Sequence, residues 1–167
     1  MSERNVITFV CTANVCRSPM AEGLLAHALK AEAEPLRSLK PVSAGIAAYG
    51  GDPASPNTLR VLESVGVNLR NHVSQRLTQE LIDQSFAIFC MTSTHRMLLE
   101  TQFNPSTPHI YLMREFLPEN VEKEISDPYG FNREAYEACR DSMVEALPSI
   151  LAFLRREYPG AAKQNTK

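Results

Sequence analysis

The feature that most restricts the fold is a strand that turns into a helix within a few residues near the start of the chain. Val6–Val10 has the β-branched and aromatic composition of a strand. Ser18 followed by Pro19 is typical of a helix start, with an N-cap hydroxyl and a proline at the first helical position. The residues between them must turn at a helix N-terminus, where free backbone N–H groups and the helix dipole favour a bound anion. Because Cys11 opens this turn, the sequence predicts a nucleophilic thiolate beside an anion site.

Arg17 lies at the other end of the turn and offers a planar pair of N–H donors that matches two phosphate oxygens. Ser18 can donate a hydrogen bond to the thiolate as well as cap the helix. In the alternative interpretation, Cys11 is a small apolar residue that ends a buried strand, and Arg17 is solvated. A lone cysteine at a strand end is more often a core residue, but the combination with Arg17 and Ser18 favours a catalytic site.

Beyond this turn, helical and strand patterns alternate along the chain. We expect helices over Pro19 to about Ala33, from Ser55-Pro56 to a stop at Gly66, and from Thr92 or Ser93 to about Phe103. A long helix should run from about Asn132, with a bend or an interruption at Pro148. We expect further strands at Val42–Ile46, Phe86–Met91 and His109–Leu112. Such alternation predicts an α/β fold with a parallel sheet, helices on both faces and ligands at the carboxyl ends of the strands.

The composition is that of one globular domain. The chain has 167 residues, 44% of them hydrophobic, and a net charge of −2, and we place the domain at residues 1–159 and a flexible tail at 160–167. The lack of a basic run or zinc-finger spacing argues against nucleic-acid binding, and the lack of a long apolar segment or signal peptide argues against a membrane. Four cysteines do not suggest a disulfide scaffold, so we expect a cytoplasmic protein.

The segment Cys11–Ser18 reads Cys-x5-Arg-Ser and resembles the phosphate-binding loop of the low-molecular-weight protein tyrosine phosphatase family. Ser43-Ala44-Gly45, His72-Val73-Ser74 and Asp127–Gly130 follow in the family's order and at about its spacing, so that the resemblance covers residues about 4 to 157. It implies a flavodoxin-like or Rossmann-like domain with a four-stranded parallel sheet of order 2-1-3-4.

The resemblance implies a phosphatase that hydrolyses protein phosphotyrosine through a cysteinyl-phosphate, without metal or cofactor. Cys11 matches the nucleophile, Arg17 matches the phosphate ligand, and Asp127 matches the general acid, presented in extended backbone by Pro128. The remaining residues of the phosphate-binding loop are Thr12, Ala13, Asn14, Val15, Cys16 and Ser18. The implied partners are a phosphorylated protein or peptide and a phosphate or other oxyanion in the loop, for a monomer or weak dimer.

Side chains that match the family's supporting hydrogen-bond network are Asn14, Ser18, Ser43 and His72. Asn14 matches a residue in the left-handed backbone region, which asparagine tolerates. Ala13 replaces a glycine that is common in the family, and we expect negative φ there. His27, His95 and His109 have no such match and are expected to be structural or solvated.

Cys16 has two interpretations that the sequence leaves open. It matches a family cysteine that can trap the oxidised nucleophile as a reversible disulfide. It is equally compatible with a packed thiol at the start of a helix.

Substrate preference depends on the walls of the pocket. By the resemblance, Tyr49 and Tyr129 sandwich a planar substrate group, which suits a phenyl ring and also a guanidinium. Val15 is typical of the tyrosine phosphatases, whereas bacterial protein-arginine phosphatases carry threonine there. Asn71–Ser74 and Met91-Thr92 are more similar to the arginine branch. We favour phosphotyrosine because position 15 touches the substrate, and keep the protein-arginine phosphatase as the alternative.

Two other activities are less well supported. A thioredoxin-coupled arsenate reductase shares this loop but needs a cysteine relay, and Met97 stands where a partner for Cys90 is expected. Cys139 is expected to be a packing thiol. A non-catalytic phosphate-binding module would be expected to lack Cys11 or Asp127, and both are present.

Overall fold

The computed structural model describes residues 4–162. Its strands are β1 (Val6–Cys11), β2 (Lys40–Gly45), β3 (Ser85–Cys90) and β4 (Ile110–Leu112). They form one parallel sheet in the order β2-β1-β3-β4, which confirms the predicted topology. Pro41 lies in the edge strand β2, where the missing backbone N–H is tolerated.

The helices are α1 (Arg17–Leu29), α2 (Pro56–Glu63), α3 (Gln79–Gln84), α4 (Ser93–Gln102) and α5 (Arg133–Glu157), with a 3₁₀ turn at Leu36–Ser38. Ser55, Thr92 and Asn132 cap α2, α4 and α5 through their side chains, as the sequence predicts. Pro148 lies inside α5. The short helix α3 was not predicted from the sequence.

Alternating side chains of the central strands divide the core into two parts, one on each face of the sheet. Phe9 and Phe89 belong to the larger part, together with apolar residues of α1, α2 and α5. Val10 and Ile88 belong to the smaller part, with residues of α3 and α4. As expected, α5 presents one buried stripe, which contains Tyr136, Cys139, Met143, Leu147, Ile150 and Leu154. A parallel sheet covered on both faces brings the loops after β1 and β3 to one edge.

The boundary of the domain at residue 159 remains a prediction. Of the predicted tail, the structure describes residues 160–162, and Ala161 is buried against the larger part of the core. Residues 163–167 lie outside the described part of the chain. Within residues 4–162, no helix has the length and apolar character needed to span a bilayer.

Candidate active site

A cavity of about 500 Å³ opens at the carboxyl end of β1, a size typical of small-molecule sites. Three segments form its walls: the loop that joins β1 to α1, the segment before α2, and the segment before α5. The lining residues are Cys11, Thr12, Ala13, Val15, Cys16, Arg17, Asp52, Pro53, Ala54, Ser55, Pro56, Asp127 and Tyr129. The structure therefore brings Cys11, Arg17 and Asp127 together although they are far apart in the sequence.

Asn14 holds the loop between β1 and α1 in its turned shape. Its φ is 61°, the left-handed region predicted for it, and among the described non-glycine residues it alone has positive φ, so Ala13 has the negative φ expected. The Asn14 side-chain amide donates to Ser18 Oγ (2.8 Å) and to Ser43 Oγ (2.9 Å), and its Oδ1 accepts from the Gln75 backbone N–H (2.9 Å). The carbonyl of Asn14 pairs with His72 Nε2 at 2.8 Å. The predicted supporting network is thus assembled around one buried side chain.

Ser18 contacts the candidate nucleophile. Its Oγ accepts from Asn14 and lies 2.9 Å from Cys11 Sγ, whereas the Ala44 carbonyl, the other acceptor for its proton, is 3.5 Å away. The Ser18 hydroxyl can therefore donate to a thiolate at Cys11. The prediction that Ser18 caps α1 is wrong. The helix begins at Arg17 and its N-cap residue is Cys16, which makes no side-chain cap, because the hydroxyl of Ser18 is used by the loop.

Arg17 is almost completely buried and points toward the same cavity. One guanidinium nitrogen donates to the Ile125 carbonyl (3.0 Å), and the other lies 3.5 Å from Thr12 Oγ1 and 3.7 Å from Asp127 Oδ2. The Asp127 side chain is 53% exposed, and its Oδ1 accepts from the backbone N–H of Tyr129 at 3.1 Å. The buried Arg17 guanidinium therefore faces the solvent-accessible carboxylate of Asp127 at the rim of the cavity.

The other three cysteines have raised pKa values, which are unfavourable for the cysteine relay of an arsenate reductase. Burial raises the pKa of Cys90 and of Cys139 to about 12, which agrees with their predicted role as packing thiols. Burial also raises the pKa of Cys16, and the hydrogen-bonding contacts of its sulfur with Ser55 Oγ and with the Tyr136 hydroxyl, each 3.4 Å long, oppose this shift. Cys11 and Cys16 are both free thiols in the structure, and both line the cavity.

The predicted aromatic sandwich is only half present. Tyr129 lines the cavity, whereas Tyr49 is fully exposed and lies outside its wall, so that the role of Tyr49 in binding substrate stays a prediction. The positive φ values of Gly50 and Gly51 turn the chain after Tyr49, so that the following residues, beginning with Asp52, face the cavity instead. Nothing in the sequence singles out Asp52, because a loop reversal of this kind depends on distant contacts.

His95 is a second residue whose position the sequence did not indicate. It was expected to be structural or solvated, but its Nε2 lies 2.9 Å from Oγ1 of Thr12 in the cavity wall. The two residues are 83 positions apart, so spacing along the chain gives no signal of the contact.

Comparison with known proteins agrees with this geometry. Residues 6–160 match the family model described as low molecular weight phosphotyrosine protein phosphatase. A relative named protein-arginine-phosphatase from Bacillus subtilis (strain 168) is 32% identical over 151 residues, which cover 90% of this chain and 97% of the relative.

Solved structures of both kinds of phosphatase also share the fold. The crystal structure of the Erwinia amylovora tyrosine phosphatase AmsI superposes with a TM-score of 0.80 at 33% identity, over 93% of this chain and 96% of that chain. A mutant of the YwlE arginine phosphatase with a phosphorylated active-site serine has a TM-score of 0.79 at 28% identity, over 92% and 97% of the two chains.

Proposed function

The chain belongs to the low molecular weight phosphotyrosine protein phosphatase family, and from this premise we propose that it hydrolyses protein phosphotyrosine with Cys11 as nucleophile, Arg17 as phosphate ligand and Asp127 as general acid. The observation that carries the assignment is the convergence of these three side chains on one cavity. The order of events follows from what each group can do.

The first step is attack of the Cys11 thiolate on phosphorus. The Ser18 hydroxyl, 2.9 Å from the sulfur, stabilises the negative charge of the thiolate by donating a hydrogen bond to it. A sulfur–phosphorus bond forms while the bond from phosphorus to the tyrosine oxygen breaks. Arg17 and the backbone N–H groups at the start of α1 hold the phosphoryl oxygens, where the helix N-terminus also favours negative charge.

The second role, proton transfer, is assigned to Asp127. Its Oδ1 is held by the Tyr129 N–H, so the carboxyl group stays at the rim, where the leaving oxygen departs. Asp127 gives that oxygen its proton, then accepts a proton from the water that attacks the cysteinyl-phosphate. Inorganic phosphate leaves and the thiolate of Cys11 is restored. The phosphorylated active-site serine in the YwlE mutant supports a covalent intermediate at the nucleophile's position.

Val15 supports phosphotyrosine as the substrate. Its side chain is half-buried, packs against the larger part of the core and forms part of the cavity wall. The segments that look more like the arginine branch, Asn71–Ser74 and Met91-Thr92, do not line the cavity. A branched apolar wall and the ring of Tyr129 favour a phenyl group over a polar one.

One observation favours phosphoarginine as a second candidate. Asp52 lines the cavity from the segment before α2. Among the described residues, its carboxylate has no ion-pair or hydrogen-bond partner. With Asp127 it gives the cavity two carboxylates, an acidic character that suits a guanidinium group. The relative from Bacillus subtilis carries the corresponding name.

The test compares two peptides of identical sequence, one with phosphotyrosine and one with phosphoarginine. We expect kcat/KM to be higher for phosphotyrosine, and Val15→Thr to shift the ratio toward phosphoarginine by about tenfold, the usual effect of one group in a pocket wall. A higher kcat/KM for the phosphoarginine peptide in the unmodified protein would establish the second candidate instead.

Cys11→Ser should abolish hydrolysis of both peptides. Its matched control is Cys139→Ser, a buried cysteine outside the cavity, which should keep its turnover. Retained hydrolysis in Cys11→Ser would contradict the whole mechanism.

A further inference from the structure

A chain of hydrogen bonds connects the start of α4 with the wall of the cavity. Thr92 Oγ1 lies 3.0 Å from His95 Nδ1, His95 Nε2 lies 2.9 Å from Thr12 Oγ1, and Thr12 Oγ1 lies 3.5 Å from a guanidinium nitrogen of Arg17. His95 is 5% exposed, whereas Thr12 is exposed and lines the cavity. The contacts therefore run from a buried imidazole to a hydroxyl in the wall of the cavity.

The capping role of Thr92 favours one direction for these bonds. Thr92 Oγ1 accepts from the backbone N–H of His95 at 3.3 Å as the cap of α4, so its proton is available for Nδ1. Among the described residues, no other acceptor lies within hydrogen-bond distance of that hydroxyl. Because each threonine oxygen has a second acceptor position, the distances alone fit both tautomers of the imidazole. In the tautomer that we infer, Nδ1 accepts from Thr92, and Nε2 carries the proton and donates to Thr12.

This arrangement leaves the hydroxyl proton of Thr12 unused. A threonine oxygen has two acceptor positions and one proton. In the inferred tautomer, His95 Nε2–H (2.9 Å) and the more distant Arg17 guanidinium (3.5 Å) fill both acceptor positions. The proton then has no protein acceptor and is available to the cavity, where a phosphate oxygen can accept it.

We propose that the Thr12 hydroxyl is an additional hydrogen-bond donor to the phosphoryl group, and that His95 is the positioning residue that orients it. The inference rests on the proposed function, because it assumes that the loop binds phosphate. It assigns a role to a side chain of the loop, where the mechanism above uses only backbone N–H groups and Arg17.

The electrostatics of the imidazole agree with this role. Burial first, and the positive charge of Arg17 second, lower the pKa of His95 to about 4, against the opposing carboxylates of Asp127 and Glu124. His95 is therefore neutral at the pH of ordinary assays, the state in which Nδ1 can accept and Nε2–H can donate.

The test is binding of inorganic phosphate, measured by titration calorimetry and, independently, as the competitive inhibition constant against para-nitrophenyl phosphate. Thr12→Val should weaken phosphate binding about tenfold or more, the usual loss for a hydrogen bond to a charged group, whereas Thr12→Ser should bind as the unmodified protein does. His95→Leu should weaken binding similarly. His95→Gln should restore it, because the glutamine amide can replace Nε2–H.

A double substitution separates positioning from general damage. If His95 acts through Thr12, Thr12→Val with His95→Leu should bind phosphate as weakly as Thr12→Val alone. If the losses of phosphate affinity of the two single variants multiply in the double variant, the proposal is overturned. Unchanged phosphate binding in Thr12→Val would also overturn it. Nitrogen NMR of the imidazole adds a test that needs no variant, since a proton on Nδ1 would also overturn it.

The outcomes also separate this inference from the proposed function. If the unmodified protein binds no phosphate, both fail. If it binds phosphate and Thr12→Val binds equally well, the proposed function stands and the role of the Thr12 hydroxyl is rejected.

Discussion

Gly45 ends β2 directly beside the loop that joins β1 to α1, which is the proposed phosphate loop. The lack of a side chain at Gly45 lets this loop pack closely against the strand. A Cβ atom at this residue would lie 2.5 Å from the carbonyl oxygen of Thr12 and 2.8 Å from Cβ of Ala48. Non-bonded heavy atoms are most stable at roughly 3.5 Å, so Gly45→Ala requires the loop or the strand to move by about 1 Å.

The strand cannot easily make this movement. The Gly45 backbone N–H donates to the Gln75 carbonyl (2.9 Å) and its carbonyl accepts from the Leu77 N–H (3.0 Å). On the other side, Gly45 pairs with Cys11 in the register of β1 and β2. The displacement therefore falls on the loop, whose Thr12 carbonyl is itself bonded to the Ala47 N–H at 2.9 Å.

We expect Gly45→Ala to reduce kcat/KM by about 100-fold, the loss typical of a 1 Å misplacement of catalytic groups. The free energy of unfolding should fall by about 1–3 kcal/mol, as for other overpacked sites. Hydrolysis of para-nitrophenyl phosphate gives the first quantity and urea denaturation the second.

The matched control is Gly23→Ala in α1. There the new Cβ would lie 3.0 Å from Val67 Cγ1, the end of a side chain that can shift, and alanine is favoured over glycine in a helix by about 1 kcal/mol. This variant should keep its activity. If Gly45→Ala were as active as Gly23→Ala, the argument that the phosphate loop needs a bare backbone at position 45 would be refuted.

Two further predictions concern carboxylates. Asp127→Asn should slow hydrolysis of an aryl phosphate with a poor leaving group by about 10²–10⁴-fold, because no proton is delivered to the leaving oxygen; unchanged turnover would remove the role of Asp127. Burial raises the pKa of Glu22 above its ordinary 4.5, against a hydrogen bond from Ser43 and the charge of His72. The folded state then holds this proton more tightly, so the free energy of unfolding should decrease as pH rises from 4.5 through the raised pKa. Glu22→Gln should lack that decrease in urea denaturation across this range, and an identical pH dependence in both proteins would contradict the assignment.

The elements that the sequence predicts well are those with strong local patterns. β1 and β3 are buried, continuous apolar runs, and the caps Ser55, Thr92 and Asn132 mark helix starts that the structure confirms. The order of the strands came only from the family resemblance, because hydrophobic periodicity carries no information about neighbours. Helix α3 has six residues, too few to display a helical period.

In the candidate site, too, features with a local sequence pattern are predictable and features that depend on distant contacts are not. Cys11, Asn14 and Arg17 lie within one short segment whose residue types predict their chemistry. In the structure, Cys11 and Arg17 line the cavity and Asn14 has the expected positive φ, while their roles in the reaction stay predictions. The sequence did not indicate that Asp52 lines the cavity while Tyr49 stays outside its wall, because this depends on the turn at Gly50 and Gly51. Such turns depend on backbone contacts with distant segments, here the bond from the Gly51 N–H to the Ser74 carbonyl at 2.9 Å.

The end of β3 and the start of α4 support both the loop that carries Cys11 and the segment that carries Asp127. The Met91 carbonyl accepts from the Ile125 N–H (3.0 Å), and Ser93 donates through its N–H and its hydroxyl to Glu124, at 2.8 and 2.5 Å. These bonds fix the segment that leads to Asp127. Because the Ile125 carbonyl in turn accepts from Arg17, the proposed proton donor, Asp127, and the proposed phosphate ligand, Arg17, are held to the same backbone. The distance between Arg17 and Asp127 is therefore set by the fold before any substrate binds, which is the preorganisation that electrostatic catalysis requires.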